Sequence, residues 1–200
     1  MRLFALILLC GVGVAHSALA SNLLLDESRA ICAANHADPA KALASADSSG
    51  WVHGKNGGPG FVQASPGWRV KLLGGPPVSP AQANIVPDFL MLKTKDEVED
   101  TSFGKLHVLD CSITGSRFNA GLVGAEAATQ EYLGRSPQIQ KGPLAVWVYQ
   151  DTQPGRSFFR DAAEANQTLS GGSIVVIMSV FEGSDSVTVD YREESIAKPE

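Results

Sequence analysis

After its first 20 residues the chain contains no long apolar run, and the one at the start, Leu3 to Ala15, is shorter than a bilayer-crossing helix of about 20 residues. A membrane-spanning helix is therefore excluded from the expectation. No cluster of Lys and Arg offsets the acidic balance, which excludes a generic nucleic-acid surface. There is no G-x-S-x-G elbow. Neither Gly54-Lys55 nor Gly104-Lys105 has the glycine five positions earlier that a mononucleotide loop requires. No period of tens of residues recurs, so the chain is not a repeat array. Cysteine is scarce, with three in 200 residues, and so are histidine, with four, and tryptophan, with three.

What is present begins with a leader. Met1 and Arg2 form a short positive region, an apolar stretch follows, and Ala18-Leu19-Ala20 matches the small-x-small pattern of signal-peptidase cleavage. Cleavage after Ala20 removes Cys10, whose preceding Leu9 does not suit lipid attachment. The chain from Ser21 then carries 15 Lys and Arg against 21 Asp and Glu, a net charge of −6. At about 180 residues it is long enough for one domain with a hydrophobic core. The division expected is a signal peptide over 1–20, a single domain over 21–194, and a frayed tail over 195–200. The location expected is periplasmic or secreted.

Two helices open the domain. Asn22 caps the first, and Leu24, Leu25, Ser28, Ile31, Cys32 and Asn35 recur at helical spacing. Asp38-Pro39 starts the second, which Gly50 ends, because Asp caps well and Pro is tolerated at the first helical position. The Gly-rich stretch 53–67 and "GGPPVSP" at 74–80 are loops. Strands are expected at 68–73, 89–95, 106–115, 143–150, 173–181 and 186–193. An acidic turn follows the second of these at 96–102, and helices are expected over 119–133 and 157–169. "EGSD" at 182–185 joins the last two strands as a hairpin. Short connections favour antiparallel pairing, so the class is α+β: two N-terminal helices, then a mainly antiparallel sheet with helices packed on one face.

Cys111 carries the main chemical question. His107, Leu109, Cys111 and Ile113 share one strand face, and two of the cysteine's three neighbours there are apolar. Cys32, on the apolar stripe of the first helix, is the one other cysteine left after cleavage. Two core-facing cysteines in an oxidising compartment are expected to form a disulfide, Cys32–Cys111. The metal alternative uses Cys32 with His36 and Cys111 with His107. The helical pair can share an ion, but four residues of strand span about 13 Å, which keeps the second pair apart. The same distance separates Cys111 from His107 as a catalytic pair, and a buried thiol holds little thiolate.

Weaker candidates are best read as structure or chance. His53, Lys55 and Asn56 sit in the first loop, and "SFGK" at 102–105 and "SIAK" at 195–198 match a serine–lysine pattern. Asp96, Glu97, Glu99 and Asp100 lack calcium-loop spacing. "NQT" at 166–168 falls in an expected helix. Trp51, Trp68, Trp147 and Tyr149 are expected to pack the core and sheet.

The stretch from Cys32 through Asp38-Pro39, the Ala-rich helix and Gly50-Trp51 resembles the start of small, uncharacterised exported proteins of Gram-negative bacteria. That resemblance implies an exported bacterial protein and assigns no catalytic or binding residue. The function expected is non-enzymatic: binding of, or accessory service to, an envelope or extracellular partner, with no cofactor, no metal and no nucleic acid. The alternative is a cell-envelope hydrolase, which should gather at least two of His36, His53, His107, Asp110 and Asp151 in a cleft. If the protein binds, loops 53–67 and 74–80 are the expected contact surface.

Overall fold

In the computed structural model, residues 22–53, 67–73, 89–102, 104–152 and 155–197 are described. The expected leader, with Cys10, lies outside them, as do loop 74–80 and all but the two end residues of loop 53–67.

The chain runs α1 (Leu23–Ile31), α2 (Pro39–Ser48), β1 (Trp68–Leu72), β2 (Phe89–Thr101), β3 (Gly104–Ser116), α3 (Ala125–Leu133), β4 (Ile139–Lys141), β5 (Leu144–Thr152), β6 (Gly155–Phe158), α4 (Ala162–Ser170), β7 (Val175–Glu182) and β8 (Ser186–Ile196). Both N-terminal caps are as the sequence suggests. Asn22 Oδ1 accepts from the Leu25 amide at 3.1 Å, and Asp38 Oδ1 accepts from the Lys41 amide at 3.0 Å with Pro39 beginning the helix. The Asn22 side-chain amide also donates to the Leu122 and Val123 carbonyls at 3.3 and 3.2 Å, tying the start of α1 to the turn before α3. Between α1 and α2 the chain turns sharply, with His36 and Ala37 at φ of 54° and 52°, a region non-glycine residues seldom occupy.

Eight antiparallel strands form one sheet in the order β1-β2-β3-β8-β7-β5-β4, with β6 also pairing β5. The chain ends in the β7–β8 hairpin. The α+β class, the two leading helices, the antiparallel sheet and the closing hairpin are those expected, and β4 and β6 are additions to them. Alternation then assigns each strand two faces. One receives α1, α2 and α3 over Leu92, Ile113, Trp147, Met178 and Val189. The other receives α4, whose Ala165 and Leu169 cover Leu106, Val108, Val175 and Ile177. Among the described residues, three helices thus share one face, and the fourth lies on the opposite one.

Several boundaries differ from expectation. The acidic segment 96–101 extends β2 instead of turning, because its charges find partners: Asp96 with His107 at 2.7 Å, Glu97 with Lys95 at 3.1 Å, Glu99 with Arg192 at 3.1 Å. α4 begins at Ala162 under an Asp161 cap, and Ser157 and Phe158 belong to β6. α3 begins at Ala125, after a turn stapled by Asn119, whose Oδ1 accepts from the Gly121 amide at 2.9 Å. Ser195 and Ile196, expected in the tail, pair with His107 and Leu106 in β8.

Gly115 shows how tightly the helical face is filled. A Cβ there would stand 2.3 Å from Leu122 Cδ1 and 2.9 Å from Leu90 Cδ2. Cys32 and Cys111 are joined, with Cα atoms 5.5 Å apart, and both are fully buried. The bond fastens the end of α1 to the centre of the sheet. Among the described residues, no helix is long and apolar enough to cross a membrane.

Candidate functional site

Two strands carry the same inward pattern, and it ends in the same way. On β5 the residues facing α1 and α3 are Ala145, Trp147, Tyr149 and then Asp151. On β8 they are Val187, Val189, Tyr191 and then Glu193. Each apolar run finishes with a tyrosine hydroxyl and a carboxylate at the sheet's end, where the helical cover thins. Tyr149, Val176 and Glu193 form one row across β5, β7 and β8. The two polar ends are therefore separated by a single strand.

Above this row lies a hollow of about 440 Å³, walled by α1 and the turn after it (Asp26, Arg29, Ala33), by Tyr132 of α3, and by Tyr149, Asp151, Arg156 and Tyr191 from the sheet. The small side chains of Ala30, Ala33 and Ala34 leave it open. The guanidiniums of Arg29 and Arg156 stand 4.2 and 4.4 Å from the Tyr132 ring centroid, and Arg156 also donates to the Tyr132 hydroxyl. Asp151 faces Arg156 at 3.5 Å and Asp26 faces Arg29 at 3.8 Å. Burial holds the Tyr149 hydroxyl well above its usual pKa, with Asp151 adding to it. Burial does the same for Tyr191, with Glu193 adding. Both hydroxyls stay neutral and able to donate at physiological pH.

A second hollow of about 250 Å³ opens beside the first and shares Asp151. It is lined by His36, Gln150, Ser173, Ile174, Val176 and Glu193. Glu193 is buried, and its Oε1 lies 3.0 Å from both the Tyr191 hydroxyl and His36 Nδ1. That contact orients the imidazole and leaves its Nε2 toward solvent. A wider hollow of about 570 Å³ beside α3 is lined by Glu126, Glu131 and Glu182 against Arg135, without an aromatic wall.

Of the five residues named for a cleft, His36 and Asp151 converge. His107, two residues along β3 from Leu109, the register partner of Glu193, is turned to Asp96 of β2 at 2.7 Å and lines neither hollow, and His53 lies exposed near Asp47 beyond α2. Asp110 points to the α4 face. There it meets Asp190, whose carboxyl is pushed up to about 8 by burial and by the neighbouring Asp110. One oxygen of that carboxyl, Oδ1, is buried without a hydrogen-bond partner among the described residues. Cys32 and Cys111 are held in the disulfide, and no group of three or more His, Cys, Asp or Glu able to hold a metal ion occurs among the described residues. Trp147 and Tyr149 pack in the core as expected, and Trp51 closes beneath the end of α2.

The residues missed from sequence are Arg29, Tyr132, Arg156, Tyr191 and Glu193. For Glu193 there was a signal: an acid in the inward phase of a strand whose other inward residues are Val187, Val189 and Tyr191.

These features define an α+β protein with a tyrosine- and arginine-lined hollow where its N-terminal helix meets the sheet. No protein-family model matches the chain, nor does any curated protein or solved structure.

Proposed function

We propose that this is an exported, non-enzymatic protein of the periplasm or extracellular space, and that it captures a small polar ligand of the envelope in the hollow between α1 and the β5–β6 hairpin. The observation that carries the reading is the state of the groups around that hollow. Its acids already face its arginines, and its two buried hydroxyls are held neutral. Such a lining holds and orients a guest, whereas activating water calls for a base free to accept a proton. The leader-like first 20 residues, the resemblance of the Cys32–Trp51 stretch, and a disulfide of the kind that persists in oxidising compartments support export.

The alternative is a cell-envelope hydrolase, and one contact favours it: buried Glu193 holds His36 Nδ1, leaving Nε2 in position to act as a base. Two measurements test these readings. Cell fractionation with N-terminal sequencing should find the chain beginning at Ser21 outside the cytoplasm. The small-molecule fraction of an envelope extract should raise the melting temperature of the wild type but not of Arg156→Ala. Turnover of an envelope substrate, lost in His36→Ala, would replace capture by hydrolysis.

A further inference from the structure

The hollow carries its charges in opposite pairs, and that pairing restricts what can occupy it. At 3.8 and 3.5 Å, the Arg29–Asp26 and Arg156–Asp151 contacts are longer than ordinary hydrogen bonds. Ion pairs elsewhere close more tightly, such as Arg69–Asp47 at 2.5 Å and Arg192–Glu194 at 2.7 Å. Both guanidiniums stand against the Tyr132 ring, and Arg156 spends one edge nitrogen on the Tyr132 hydroxyl, so Arg29 presents the freer edge of the two. Stacking uses the flat face of a guanidinium and leaves its edge donors for a planar acceptor such as a carboxylate.

Charge decides among guests. A guest that is purely anionic meets Asp26, Asp151 and, one strand away, Glu193. A purely cationic one meets both arginines. A neutral sugar fits the volume but uses neither arginine edge for what it recognises best.

We propose, resting on the capture reading above, that the hollow binds a zwitterion of amino-acid or dipeptide size, with its carboxylate on the edges of Arg29 and Arg156 and its ammonium on Asp151. The cavity of about 440 Å³ suits a guest of that size. The neutral Tyr149 hydroxyl adds a donor beside the carboxylate.

The test is isothermal titration calorimetry on the purified chain. The probes are the free amino acids, D-alanyl-D-alanine, the N-acetyl and amide derivatives of whichever binds, and glucose. At least one zwitterion should bind with a dissociation constant below about 1 mM, and each derivative, lacking one charge, should bind about tenfold or more weakly. Arg156→Lys keeps the charge but loses the fork and the stack, and it should also weaken binding about tenfold. Asp151→Asn provides an independent loss at the ammonium end. No binding by any amino acid or dipeptide would overturn the assignment, as would derivatives that bind as well as their parent. Glucose binding that Arg156→Lys abolishes would overturn the zwitterion and leave capture standing. Hydrolysis of a bound dipeptide would overturn capture and leave the zwitterion standing.

Discussion

Replacing Asp190 by asparagine tests the reading of the α4 face most directly. Asp190 lies diagonally across the β3–β8 ladder from Asp110, in register with Ser112 and Ser179. Arg192, the nearest cation on its own strand, is turned toward Glu194 and Glu99 at 2.7 and 3.1 Å. Burial and Asp110 raise its carboxyl from 3.8 to about 8, so the folded state holds a proton that the unfolded chain releases. Stability therefore falls as pH rises from about 4 through about 8 and levels off above that. Asparagine supplies a permanent N–H to Asp110 and can carry no charge. At about 1.4 kcal/mol per unit, a rise of about four units sets the scale of the gain at roughly 4–6 kcal/mol. The Asp190→Asn variant should match the wild type near pH 4 and exceed it by about 4–6 kcal/mol at pH 9, or roughly 10–20 °C in melting temperature. Calorimetric melting of both proteins across this range makes the comparison, and titrations elsewhere cancel in the difference. An offset that is the same at pH 4 and pH 9, or a variant weaker at pH 9, would refute the shared-proton account.

Three further outcomes are expected. Cys32→Ala with Cys111→Ala should lower stability by about 2–4 kcal/mol in denaturant melts, since the bond closes a 79-residue separation. It should also weaken ligand capture, because the bond fixes the turn whose Ala33 and Ala34 wall the hollow. Gly115→Ala should cost about 1–3 kcal/mol, as its methyl must displace Leu122 or Leu90. Thr129 is fully buried with a hydroxyl unpartnered among the described residues, so Thr129→Val should stabilise the chain by about 1 kcal/mol in the same melts.

Much of the fold was legible where local chemistry and burial agree. Asn22 and Asp38 announce their helices, the alternation around Cys111 points it inward, and the final hairpin follows from its turn. Legibility failed where tertiary partners override local preference. Residues 96–101 look like a solvated turn until His107, Lys95 and Arg192 supply opposite charges across and along the strands. β4 is a three-residue edge strand with no apolar pattern to reveal it. Its ladder is extended by Gln138, which exchanges hydrogen bonds with the Val148 backbone at 2.6 and 3.0 Å. The site was half visible. The Tyr149–Asp151 and Tyr191–Glu193 steps break two inward apolar series, but their meeting with Arg29 and Tyr132 depends on how the helices dock. The loops 53–67 and 74–80, the expected contact surface, lie almost wholly outside the described residues.

The strand order has a consequence for how the chain must assemble in time. β1, β2 and β3 can zip together as soon as they exist, and β4 to β7 can gather separately, but among the described strands β8 alone joins the two groups, pairing β3 on one side and β7 on the other. The keystone is thus the last of the described strands to be made. Until it arrives, the sheet is two unjoined halves with facing open edges, and the Tyr191 and Glu193 side of the hollow does not exist. Assembly should be late and nearly all at once, with long-range contacts setting its pace. A chain truncated before Ser186 would be two half-sheets exposed to pairing with neighbours instead of a weakened version of this protein.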